Sequence, residues 1–326
     1  MMRTAWTLAL SLMFLIACTK PAAETPRELP KPPLDPWAWV PRDSTFVGRA
    51  SLADLRKTEL WPLWAEVEKD QHIDAWVPVD KVTRMTFGGA GQTVDNLSYV
   101  AALEGNFTLL ELSNLAKLDN TPRERHGMLT FYRRPDALWT QVDEKLILVC
   151  TPDRVMQVAD RVVAGPGTPV KDMPLYRALA DRIALADAHV ALMAEDPEGK
   201  GRAILDRQAE RYGLNQFTAD AKRLGFSVEI TADYRIVAVA ETPDEQRAQV
   251  LESATRDKLD SVANNMFVRM LGLGGMVSRM RVSGDQNFVF VRGAVPEVDF
   301  NAAVERLHRM LSVAKGPAQE PPEASE

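Results

Sequence analysis

The side chains able to do chemistry are few, and their spacing points away from a catalytic centre. Four histidines occur, His72, His126, His189 and His308. No two lie four residues apart as a helical metal pair requires, and the chain holds neither an HExxH motif nor a Cys/His cluster. Each histidine therefore reads as structural or solvated. The acidic run Glu195-Asp196-Pro197-Glu198-Gly199 lacks the alternating ligands of a calcium loop, and no GxSxG nucleophile elbow is present. Two glycine clusters, TFGGAGQTVD and LGLGGMVSRM, lack the lysine and hydroxyl residue of a phosphate-binding loop. They read as loops between elements. A carboxylate pair for glycoside hydrolysis meets only in space, so a hydrolase stays the least favoured reading. The expectation is a non-enzymatic protein working without metal or cofactor.

The two cysteines, Cys18 and Cys150, have different settings. Cys150 closes the strand-like run KLILVC and reads as a buried small hydrophobe, with no disulfide framework around it. Cys18 follows a basic start at Arg3 and an apolar stretch from Ala5 to Ala17, too short to span a bilayer, which needs about 20 apolar residues. This is the layout of a secretory signal. Leu15-Ile16-Ala17-Cys18 resembles the bacterial lipobox. The resemblance implies removal of residues 1–17 and diacylation of the Cys18 thiol, which anchors a protein to a membrane without spanning it. Thr19 in place of aspartate then favours the outer membrane, with the protein facing the periplasm.

Residues 18–36 carry Pro21, Pro26, Pro30, Pro32, Pro33 and Pro36 and little that packs. They read as an extended tether of about 3.1 Å per residue. Residues 316–326 read as a polar, disordered tail. Formal net charge is −6, and −7 once residues 1–17 with Arg3 are removed, which offers no basic face for nucleic acid. Hydrophobic residues make up 46% of the chain, enough to fill a core over the remaining length.

Positioning elements follow from a recurring pattern. LILVCTPDRVMQVADRVV and IVAVAETPDEQRAQVLESA both run from an apolar strand through Thr-Pro-Asp into a helical period. Threonine suits the cap, proline the first turn, and aspartate the positive helix end. Glu245 three residues after Thr242 predicts a capping box. NFVFVRGAVPEVDFNAAVERLHRML repeats the scheme, with Phe300, Val304, Leu307 and Leu311 on one helix face. Leu251, Leu259, Val262, Met266 and Met270 do the same on the preceding long helix.

Alternating or apolar runs predict strands over 45–50, 82–88, 97–103, 128–133, 138–142, 146–150, 189–194, 225–231, 235–240, 277–283 and 288–293. Short polar turns at Arg134–Asp136, Ala232-Asp233 and Gly284–Gln286 make neighbouring strands antiparallel. The expected class is α+β, mainly antiparallel sheet with helices packed on one face. Element order divides it into two related modules, 37–165 and 188–315, joined by a connector with a short helix over 166–187. One continuous sheet shared by both halves satisfies the same pattern.

Two apolar groups could bind something. Trp37, Trp39, Trp61, Trp64 and Trp76 crowd into forty residues, and Met266, Met270, Met276 and Met280 lie near Phe267. Core packing is the ordinary fate of both, yet Trp61, Trp64, Trp76 and the four methionines form the candidate apolar binding surface. The leading expectation is a lipid-anchored envelope protein with a binding or scaffolding role, its partners the membrane and an envelope protein or lipid. The alternative is a lipid or lipoprotein carrier enclosing an apolar cavity.

Overall fold

The computed structural model describes residues 35–59, 61–62, 79–91, 97–164, 170–195, 221–270 and 272–314. Cys18, most of the tether, Trp64, Trp76, His72, the 165–169 stretch and the tail lie outside these residues. From the amino-terminal side the elements are β1 (Phe46–Ala50), α1 (Leu52–Leu55), β2 (Val82–Ala90), β3 (Ser98–Gly105), α2 (Glu111–Leu118) and β4 (Arg123–His126). There follow β5 (Leu129–Arg133), β6 (Leu138–Gln141), β7 (Leu146–Cys150), α3 (Val155–Ala164), α4 (Pro174–Leu179) and β8 (Val190–Glu195). The last group is β9 (Arg223–Ile230), β10 (Asp233–Glu241), α5 (Glu245–Asn264), α6 (Met266–Met270), α7 (Gly274–Val277), β11 (Arg281–Asp285), β12 (Phe288–Pro296) and α8 (Glu297–Ala314).

All twelve strands form one sheet, ordered β11-β12-β10-β9-β8-β1-β2-β3-β7-β6-β5-β4, and every pairing is antiparallel. The class is therefore α+β, as the tight polar turns require. Strand order repeats about the middle. In one half β1, β2 and β3 are followed by β7 and β6; in the other β8, β9 and β10 are followed by β12 and β11. The halves share the sheet through β1 and β8, with Val47 opposite Met193 and Gly48 opposite Leu192.

Side-chain alternation assigns two faces. On one, Val100, Ala102, Leu148 and Cys150 pack under Trp39 and α3, while Val47, Ala191, Met193 and Val239 pack under Leu175 and Leu179 of α4. On the other, Ala101, Leu103, Ile147 and Val149 meet Leu112 and Ala116 of α2, and Tyr234, Val295 and Val289 meet α7, α8 and α5. Most helices thus share a face, and α3 with α4 adds a second layer that the expected single-sided arrangement lacks. The cause is composition: β7 is buried throughout, so LILVC needs cover on both sides.

Local chemistry departs from expectation in three places. Asp244, not Thr242, caps α5, its carboxylate accepting from the Arg247 N–H at 2.8 Å. Thr242 is buried, and its hydroxyl is engaged with the Asn287 carbonyl at 2.9 Å. The long helix ends at Asn264, because the Asn265 side chain accepts from the N–H groups of Phe267 and Val268 at 2.9 and 3.3 Å and starts α6 afresh. Met266 and Met270 consequently leave the face that Leu251 occupies. Residues 277–280 end a helix and turn, so the strand expected from 277 begins at Arg281.

Candidate binding surface at the centre of the sheet

On the face that carries α1, α2, α5, α7 and α8, the described helices pack toward the two flanks of the sheet. Leu52 of α1 packs beside β2, Leu112 and Leu115 of α2 join the core of β3 and β7, and Met276, Phe300 and Ala303 that of β10 and β12. Between them, cross-strand register aligns Phe87 with Gly48, Gly48 with Leu192 and Leu192 with Phe226. Leu192 is 42% exposed and Phe226 40%, whereas Ala191 and Met193, pointing to the opposite face of the same strand, are 2% and 0%. One face of β8 is core, and on the other Leu192 is exposed between half-buried Val190 and Ala194.

Gly48 fits this arrangement because the Phe87 ring lies over it, where a Cβ would collide. The Phe46 and Phe87 rings stand 6.3 Å apart. Phe87, Phe46, Leu192 and Phe226 thereby make an apolar strip across four strands, about 14 Å long at about 4.8 Å per strand spacing. Both halves of the chain contribute to it. Partly exposed aromatic and aliphatic side chains on a rigid sheet are suited to docking another apolar surface.

Of the residues singled out from sequence, Trp64 and Trp76 lie outside the described residues, and the others divide between core and surface. Trp61 is half-buried with the Arg56 guanidinium 5.8 Å from its ring centroid. Met276 is buried, and Met280 packs against the same core as Tyr234 and Val295. Met266 and Met270 instead stand exposed on α6 beside Phe267. The methionine group therefore splits between core and surface at the Asn265 break. Trp39 is core, and Trp37 meets Tyr176 edge-on at 5.9 Å.

Chemistry elsewhere is structural. His189 accepts from the Ile230 N–H at 3.0 Å through Nδ1, and His126 sits edge-on to Phe131 at 5.7 Å. Cys150 is free and buried, and burial pushes its thiol up to about 12. Across β8, β9 and β10, the Arg223 guanidinium bridges Glu195 and Glu241 at 2.9 and 2.8 Å, the two carboxylates holding its pKa above the usual range against the opposing effect of burial. Among the described residues no group of three or more His, Cys, Asp or Glu could hold a metal, and no helix is long and apolar enough to cross a membrane. Three cavities of ≈ 330, 280 and 290 Å³ are lined by described residues, none of them by the four methionines.

Sequence reasoning missed Leu192 and Phe226 because exposure of a sheet face depends on which helices reach it. β8 reads VALMAE, apolar at both Leu192 and Met193, which signals a strand buried on two sides.

No protein-family model matches the chain, and no curated protein does. Solved structures do resemble it. Crystal form III of TP0453 superposes with a TM-score of 0.52 at 10% identity, covering 84% of this chain and 99% of that one. Crystal form I gives a TM-score of 0.49 at 12% identity over 85% of this chain and 98% of that one. At such identity the likeness is one of fold.

Proposed function

We propose that this chain is a lipid-anchored cell-envelope protein, tied through Cys18 to the outer membrane on its periplasmic side, and that its body is a non-enzymatic docking platform for another envelope protein. The strip of half-buried Phe46 and Phe87 continued by exposed Leu192 and Phe226 carries the docking part of the reading. The lipobox-like Leu15-Ile16-Ala17-Cys18 and the proline-rich stretch behind it support the placement. Surface docking is favoured over lipid enclosure because the cavities described are small and lined by polar as well as apolar groups. A hydrolase would need a carboxyl shielded enough to hold its proton, and the two carboxylates that share a cavity, Asp181 and Asp187, are exposed.

The test is a photo-crosslinking residue placed at position 192 in intact cells, with the same residue at exposed position 117 of α2 as control. A discrete protein adduct is expected at 192 and not at 117, and it should weaken in a Cys18→Ser background that frees the protein from the membrane. Identical adducts at both positions would contradict the docking strip. Unchanged membrane partition of Cys18→Ser would contradict the anchor.

A further inference from the structure

On the other face of the sheet, β1 sends Arg49 into a cavity of ≈ 330 Å³ beneath α4 and the turn that follows it. Trp37 and Tyr176 supply aromatic wall, and Asp181 and Asp187 stand at the rim. Ala184, at φ 50, turns the chain over the opening, with the Leu185 N–H donating to the Ala180 carbonyl at 2.9 Å.

Arg49 is anomalous here. Several arginines of the sheet are ion-paired, Arg84 with Glu104 at 3.5 Å, Arg223 with Glu195 at 2.9 Å and Arg235 with Glu229 at 3.3 Å, and Arg292 lies over the Phe290 ring. Arg49 has no hydrogen-bond or ion-pair partner among the described residues, and its Nε is shielded from solvent with nothing to donate to. Burial, and less so the neighbouring Arg84, lower its pKa, against the smaller opposing pull of Glu104 and Tyr176. A buried Nε–H left without an acceptor is costly unless something arrives to accept its proton. The matching acceptor is a planar anion, a carboxylate, which takes two parallel N–H bonds.

A simple anion does not fit the rim. Asp181 and Asp187 would repel it on entry, while a group bearing both charges would satisfy floor and rim together. The volume lies at the lower end of the range for small-molecule sites, about 300–1,000 Å³. We propose that this cavity binds a small zwitterion of the α-amino acid or short-peptide class, its carboxylate on Arg49, its ammonium group toward Asp181 and Asp187, and its side chain against Trp37 and Tyr176. This site is separate from the docking strip and stands on the opposite face.

Calorimetric titration of the purified full-length protein tests it, using L-leucine, L-phenylalanine and the dipeptide Ala-Phe as probes. Phenylacetate, which lacks the ammonium group, and phenethylamine, which lacks the carboxylate, are the comparisons. At least one zwitterion should bind with a dissociation constant of about 1 mM or tighter, and more tightly than both single-charge analogues. Arg49→Gln should weaken that binding by about tenfold or more. The Asp181→Asn/Asp187→Asn variant changes only exposed side chains, so its fold is secure, and it should weaken the zwitterion while leaving phenylacetate unchanged or tighter. No binding of any zwitterion at about 10 mM would overturn the proposal. So would phenylacetate binding as tightly as phenylalanine, or zwitterion affinity unaltered in both variants.

Discussion

Removal of the Lys81 ammonium group should destabilise the protein at neutral pH and less so in acid. Glu111 opens α2 with its side chain 9% exposed. Its Oε1 is 2.7 Å from Lys81 Nζ, and Oε2 accepts from the Thr108 N–H and hydroxyl, each at 3.0 Å. Gln141 from β6 completes the helix start by accepting from the Leu112 N–H at 3.3 Å and donating to the Thr108 carbonyl at 2.6 Å. Burial alone would raise the Glu111 pKa, but Lys81 and Thr108 outweigh it and hold the carboxyl below the usual glutamate range.

In Lys81→Met the carboxylate keeps the Thr108 donors and loses its counter-ion. Stranding a fully buried charge costs about 3–5 kcal/mol, and the Lys81 side chain is 35% exposed, so water can reach Oε1 and the expected loss is about 2 kcal/mol. A depressed folded pKa contributes stability that is present above the unfolded-state value and fades as pH falls through the folded one. Without Lys81 the Glu111 pKa rises relative to the wild-type protein, and protonation of Glu111 removes the need for a partner. The stability gap between the two proteins, from urea unfolding, should therefore be wide near about pH 7 and narrower at about pH 3, closing as pH falls through the depressed Glu111 pKa. A gap equal at both pH values would mean that Lys81 acts through its aliphatic stem, and the electrostatic account would fail.

Cys150 should resist thiol reagents in the native state. A rise from the ordinary 9.0 to about 12 leaves about a thousandfold less thiolate, and the side chain is also shielded, so labelling should wait for unfolding and run at the unfolding rate. Prompt native labelling would refute its burial. Arg223→Met should cost about 2–3 kcal/mol in chemical denaturation, since it leaves Glu195 and Glu241 half-buried without a shared cation. A second change, Glu241→Gln, should restore part of that loss; a cost below about 0.5 kcal/mol would mark the bridge as decorative.

Most apolar strands were legible in the sequence to within two or three residues, the one expected from 277 excepted. LILVC at β7 matches the expected 146–150, and three polar turns identified hairpins that the register bears out. β4 was invisible because RERH has no apolar face; an edge strand can be charged throughout, and Arg133 pairs with Glu124 there at 3.1 Å. Gly127, at φ 58, makes the turn that returns it to β5. The candidate binding residues were less legible for a different reason. Composition marks Met266 and Met276 as equivalent, and only the Asn265 cap decides that one goes outward and the other into the core. Arg49 gave no signal, since an arginine in a strand looks the same whether or not it finds an acceptor.

The seam between β1 and β8 bears on how such a chain comes together. β1 can pair with β2 early, but its other edge waits for residues 190–194 to be made. Until then the chain shows a bare strand to any neighbour, and closing the seam brings together residues more than a hundred positions apart. Two separately expressed pieces, divided between α3 and α4, would each carry one lip of that joint, and reassembly of the pair into a working whole is the natural outcome of mixing them.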